Sequence, residues 1–91
     1  MRAPGENAEQ ERLGFAIRIL RHRRAVSQEQ LGFDCDLHRN YIGAIERGEI
    51  NPTFRTLLQL AAGLGMRLSE VVLIYENPPS VPRPRYHEGR R

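Results

Sequence analysis

The chain has 91 residues, 40% hydrophobic and 27% charged, enough for one domain around one core and unlike the composition of a disordered chain. No apolar run approaches the roughly 20 residues that cross a bilayer, and a single cysteine, Cys35, excludes an intrachain disulfide and fits a reducing compartment. All 14 basic residues are arginine; residues 1–76 carry ten of them against ten acids, so the net charge of +3 resides in residues 77–91, where four arginines face one glutamate.

Residues 1–7 hold Pro, Gly and Asn and are expected to fray. Arg2 leads into Pro4, Gly5, Glu6 and Asn7 rather than an apolar leader, which gives the expectation of a cytoplasmic protein. A first helix is predicted over Ala8 to Arg24, because Leu13, Ala16, Ile17 and Leu20 recur at helical spacing. Its arginines at 12, 18, 21, 23 and 24 lie in a stretch without an acid, a pattern that suits either phosphate neutralisation or a solvated face. Ser27 with Gln30 makes a capping-box pattern, so a second helix is predicted over Gln28 to Asp34. A turn at Asp34 to Asp36 leads to a third helix over His38 to Arg47, with Leu37, Tyr41, Ile42 and Ile45 inward and Gly48 as a left-handed stop. Asn51-Pro52 marks a loop. Thr53 caps a fourth helix, Phe54 to Leu64, whose apolar positions are Phe54, Leu57, Leu58, Ala61 and Leu64. Gly65 ends it, and Ser69 is the expected cap of a short fifth helix, Glu70 to Tyr75. The prolines at 78, 79, 82 and 84 predict a disordered Pro/Arg-rich tail over residues 77–91. The expected architecture is all-α: a compact five-helix domain over residues 8–76.

The most informative stretch is Gln28 to Gly48. Leu31, Gly32, Cys35, Leu37, Ile42 and Ile45 are spaced as two short helices need if they cross steeply. The residue at the crossing must be small, and Gly32 stands there.

These strings resemble the Cro and phage-repressor type of helix-turn-helix regulator, the XRE-like family. The matching segments are SQEQL at Ser27 to Leu31, YIGAIERG at Tyr41 to Gly48, NPT at Asn51 to Thr53 and TLLQLAAGLG at Thr56 to Gly65. The resemblance spans about Leu13 to Val72 and implies a lambda-repressor-like five-helix domain that binds double-stranded DNA as a transcriptional regulator. Two positions depart from the family, which usually has Ala at Gly32 and Gly at Asp36. Asp tolerates a left-handed turn better than most residues. His38, Arg39 and Asn40 would open the recognition helix and reach the bases, with Gly43 and Ala44 one turn on. Gln28 resembles the family's phosphate-contacting glutamine, and Arg47 and Asn51 are further candidate phosphate contacts near the start of the fourth helix. Glu46 is expected to pair with an arginine, such as Arg21, as a structural ion pair.

Other chemistries lack their residues. Cys35 and His38 are three apart, but a structural zinc site wants four ligands, and His22 and His87 are not suitably spaced. No nucleophile with a base and no glycine-rich phosphate loop is visible, so neither an enzyme nor a cofactor or metal is expected. No separate effector domain is visible, so no small-molecule effector is expected. The other open reading is an antitoxin-like module that holds a protein partner; the near-neutral body and the acids Asp34 and Asp36 lean that way.

Val71, Val72, Leu73, Ile74 and Tyr75 are consecutive and apolar or aromatic, so on a helix they point all round the axis. One domain's core covers only one face. The expectation is a homodimer through this helix, with an inverted-repeat operator; a helix buried under the tail, or a strand, are the alternatives.

Overall fold

The computed structural model describes residues 7–79. The expected fraying up to residue 6 and the expected disordered tail beyond residue 79 lie outside them. The described residues form α1 (Ala8–Arg24), α2 (Gln28–Cys35), α3 (Arg39–Glu46), α4 (Phe54–Leu64) and α5 (Leu68–Glu76). No single helix is long and apolar enough to cross a membrane.

The boundaries of α2, α3 and α4 have local causes. The Ser27 hydroxyl accepts the Gln30 N–H at 3.0 Å and starts α2. Only half of the expected capping box forms, because the Gln30 amide turns forward to Asp34 Oδ1 at 2.9 Å. Asp36 then takes the left-handed conformation, with φ 60° and ψ 43°, and the Leu37 N–H closes on the Gly32 carbonyl at 2.8 Å. His38 caps α3, and Gly48, at φ 74°, ends that turn by donating to the Ile45 carbonyl at 3.0 Å. Thr53 caps α4 through the Thr56 N–H at 3.1 Å.

The fifth helix starts earlier than expected, and Ser69 is not its cap. Arg67 holds the capping position, and its N–H donates to Glu70 Oε1 at 2.8 Å. That bond brings Leu68 into the first turn, where it packs on the core.

The core is one cluster. Ile17 and Leu20 of α1, Leu31 and Cys35 of α2, Ile42 and Ile45 of α3, Leu60, Ala61 and Leu64 of α4, and Val71 of α5 meet in it. Helix α2 packs on α3 and α4, α1 covers α3, and α5 lies on α1 and α4. Phe54 and Leu58, expected inward, are exposed, while Leu60 is fully buried. The apolar period of α4 is broad enough to accept either rotation, and its packing on α2 selects the face that carries Thr56, Leu60 and Gly63.

Asp36 stands in a conformation that costs an ordinary L-residue about 1–2 kcal/mol, less for Asp. Asp36→Gly is expected to raise stability by up to about 1 kcal/mol, after the extra unfolded-state entropy of glycine is deducted. A thermal melt that shows no upward shift would count against strain at this turn.

Candidate nucleic-acid interface

The geometry of the site begins at Gly32. A Cβ added there would lie 2.5 Å from the Leu37 carbonyl oxygen and 3.2 Å from the Arg39 nitrogen. Backbone therefore presses directly on backbone where α2 meets the start of α3. This close approach sets the angle at which α3 leaves the domain, with its first residues outward.

Arg39 and Asn40 are exposed at that end. Arg39 lies 3.6 Å from Glu29 of α2 in a loose ion pair, both side chains mostly in solvent. His38 is less free than expected, because its Nδ1 accepts the Asn40 N–H at 3.0 Å. Only its outer ring edge can meet a ligand. Ala44 is half-buried. Gly43 corrects the expectation of an open surface there. It is buried, and a Cβ on it would lie 3.0 Å from Arg47 Nη1 and 3.5 Å from Gln28 Oε1. The side chains of Gln28 and Arg47 thus roof this position.

Beneath that roof lies a buried charge network. Glu46 pairs with Arg21 through Nε at 2.6 Å and Nη2 at 3.1 Å, with side chains 3% and 11% exposed respectively. Gln28 Nε2 donates to Glu46 Oε1 at 3.0 Å, and Arg21 Nη1 donates to the Val26 carbonyl at 2.9 Å. The expected structural pair is present, and it also fixes the amide of Gln28. Arg47 is exposed but chelated by Glu49 at 2.8 and 3.2 Å. Hydrogen bonding to Arg47 holds the Glu49 carboxyl below its usual range.

Asn51 does not join this group. It lines a cavity of about 290 Å³ between α1, α4 and α5, with Leu13, Leu57, Val72 and Tyr75. The arginines of α1 do not make one phosphate patch either. Arg12 donates to the Tyr75 and Glu76 carbonyls, both at 2.9 Å, and lies over the Tyr75 ring. Arg21 belongs to Glu46, and Arg24 reaches the Leu64 carbonyl at 3.3 Å and Asp34 at 3.9 Å. Arg18 and Arg23 remain exposed. Helical spacing sets the phase of these side chains but carries no information on which backbone carbonyl or carboxylate lies opposite.

Cys35 and His38 are used separately. Cys35 packs in the core, where burial, and secondarily Asp34, pushes its thiol up to about 11. Among the described residues, no group of three or more His, Cys, Asp or Glu is placed to hold a metal ion.

On α5 the five consecutive apolar residues divide. Val71 is 1% exposed and belongs to the core, so it is not available for an interface. Leu73 is 57% exposed, Val72 is also exposed, and Ile74 and Tyr75 are half-buried. Phe33 on α2, 82% exposed, was not singled out from the sequence. Glu29 and Glu49 were also missed as partners of the candidate DNA-contacting arginines Arg39 and Arg47. Glu49, two residues after Arg47, was within reach of sequence reasoning; Glu29 becomes adjacent to Arg39 only through the crossing at Gly32.

The family model described as a helix-turn-helix domain matches residues 12–73. The chain is similar to control protein C.BamHI of Bacillus amyloliquefaciens, 40% identical over 47 residues, which cover 52% of this chain and 58% of that protein. It is 37% identical over 60 residues to the immunity repressor protein of Bacillus phage phi105, covering 66% of this chain and 42% of that one. The chain thus spans about half the length of these curated relatives. Among solved structures, the restriction-modification controller protein C.AhdI from Aeromonas hydrophila superimposes with a TM-score of 0.69 at 36% identity, over 70% of this chain and 97% of that one.

Proposed function

Since the chain belongs to the helix-turn-helix domain family, we propose that it is a transcriptional regulator that binds specific double-stranded DNA as a homodimer. The observation that carries this reading is the outward start of α3, where Arg39 and Asn40 stand exposed beyond a backbone-to-backbone crossing at Gly32. In the major groove, an arginine there pairs bidentately with guanine and an asparagine with adenine. The outer edge of His38 and the methyl of Ala44 border the same bases. Gln28, held by Glu46, and Arg47 contact the phosphate backbone on either side. C.BamHI is named a control protein, its phage phi105 counterpart an immunity repressor and C.AhdI a restriction-modification controller protein, which supports a regulatory role here.

Dimerisation uses the outer face of α5. Val72 and Leu73 form its centre, with Ile74 and Tyr75 at the edge. The cavity beside Val72 and Tyr75 lies next to this face, so a second copy covers it too. A two-fold pair sets the recognition helices about 34 Å apart, and the operator is an inverted repeat with half-sites about 10 bp centre to centre.

Selection from a random duplex pool, followed by electrophoretic shifts, tests the reading. Wild type is expected to select one inverted repeat. Arg39→Ala is expected to lose about 1–3 kcal/mol on that site and to relax one or two base positions. Gln28→Ala and Arg47→Ala are expected to weaken good and poor sites alike, because phosphates carry no base identity. If wild type selects no sequence, the protein-holding module is the better account. If Arg39→Ala leaves the selected sequence unchanged, Arg39 is a backbone contact.

A further inference from the structure

We propose that Glu29 is a specificity-determining residue of the DNA-reading face, because it turns Arg39 away from phosphates and toward a neutral base edge. The inference rests on the function proposed above. Glu29 lies in the first turn of α2, Arg39 in the first turn of α3, and the crossing at Gly32 brings their charges to 3.6 Å. Both side chains are exposed, so the pair is loose and a ligand can displace or share it.

The two kinds of partner that DNA offers to Arg39 differ in charge. A phosphate is an anion, and binding it to Arg39 forces that anion close to the Glu29 carboxylate. The guanine edge offers two uncharged acceptors, O6 and N7, to the same guanidinium fork. Glu29 therefore opposes the phosphate complex by like-charge repulsion and leaves the guanine complex nearly untouched. Binding to unrelated DNA is almost wholly electrostatic, so the carboxylate weakens that mode most.

Arg47 supplies the contrast within the same surface. Its Glu49 partner also opposes phosphate, but Arg47 follows the last turn of α3 and is assigned to the backbone in every complex. Removing the charge of Glu49 is expected to strengthen operator and unrelated DNA together. Removing that of Glu29 is expected to strengthen unrelated DNA selectively.

The test measures full-length protein on the selected operator and on an unrelated duplex of equal length, across a series of salt concentrations. Glu29→Gln is expected to bind the unrelated duplex about three- to tenfold more tightly, from one surface charge in each of two protomers. Its plot of log affinity against log salt should steepen by about 0.9 for each additional phosphate that the protein neutralises. The operator should be strengthened much less, so preference falls by about the same three- to tenfold. Glu29→Asp keeps the charge and is expected to keep most of the preference. Glu49→Gln should raise both affinities alike, and melting curves confirm that each variant is folded. Equal strengthening on both duplexes for Glu29→Gln, or none on either, would overturn the role of Glu29. A wild type that selects no sequence at all would instead remove the DNA-reading function on which it rests.

Discussion

Glu46→Ala is expected to destabilise the domain by about 3–5 kcal/mol, the cost of orphaning a buried charge. Glu46 is the shared acceptor of Arg21 and Gln28, and it links α1, α2 and α3. Its removal leaves the largely buried Arg21 guanidinium with the Val26 carbonyl and its own neighbour His22 as its hydrogen-bond partners among the described residues. A small single-core domain has about 5–15 kcal/mol in total, so the variant should be near its melting midpoint at moderate temperature. Urea denaturation of Glu46→Ala, Arg21→Met and the pair Arg21→Met with Glu46→Leu checks the origin of the loss. The double variant should be more stable than either single one, because it buries no unpaired charge. A loss under about 1 kcal/mol in both single variants would show that solvent reaches the pair. The same network turns the Gln28 amide, so a folded remnant of Glu46→Ala should also bind all DNA sequences less tightly.

Leu73→Glu has the largest expected effect on binding, with almost none on the fold. Leu73 is 57% exposed and outside the core cluster, so the substitution should change stability by no more than about 0.5 kcal/mol. At the proposed dimer face, however, it would set two carboxylates against an apolar surface across the two-fold axis. Without the dimer, the two half-sites are bound independently and the advantage of linkage, about 10²–10⁴ in affinity, is lost. Sedimentation at micromolar concentration should show a dimeric wild type and a monomeric Leu73→Glu, and operator binding should fall accordingly. Val71→Glu serves as the contrast, because Val71 lies in the core and its replacement should unfold the domain. A Leu73→Glu protein that sediments as a dimer and binds the operator normally would place the interface elsewhere. The exposed Phe54 and Leu58 of α4 would then be the next surface to test.

Helix order and most helix ends were legible in the sequence, because they depend on neighbours in the chain. Ser27, Thr53, Gly48 and Gly65 act on backbone groups within a few residues, and each acts as its type predicts. The alternation of Leu31, Cys35, Ile42 and Ile45 likewise marks the core, since apolar burial follows the helical period. The small residue at position 32 was legible too, as a steep crossing tolerates little else there. A second such close approach was not. A Cβ on Gly14 would collide with the Ile45 carbonyl oxygen, and nothing in the sequence of α1 marks that residue. Ala25, left-handed at φ 61° after α1, gave no signal either, since alanine is not a residue that prefers it.

The sequence by itself therefore determined the helices, their order and the residue types offered at the start of α3. Tertiary structure alone decided which of those residues are free. It placed Arg12 on the end of α5, Arg39 beside Glu29, and Gln28 over a buried carboxylate. It also rotated α4 and α5, exposing Phe54 and Leu73 and burying Leu60 and Val71. The physical reason is range. Capping and periodicity act over one or two turns of a single helix. Charge pairing and burial depend on side chains that converge from different helices, and that convergence exists only once the crossings at Gly14 and Gly32 have set the angles.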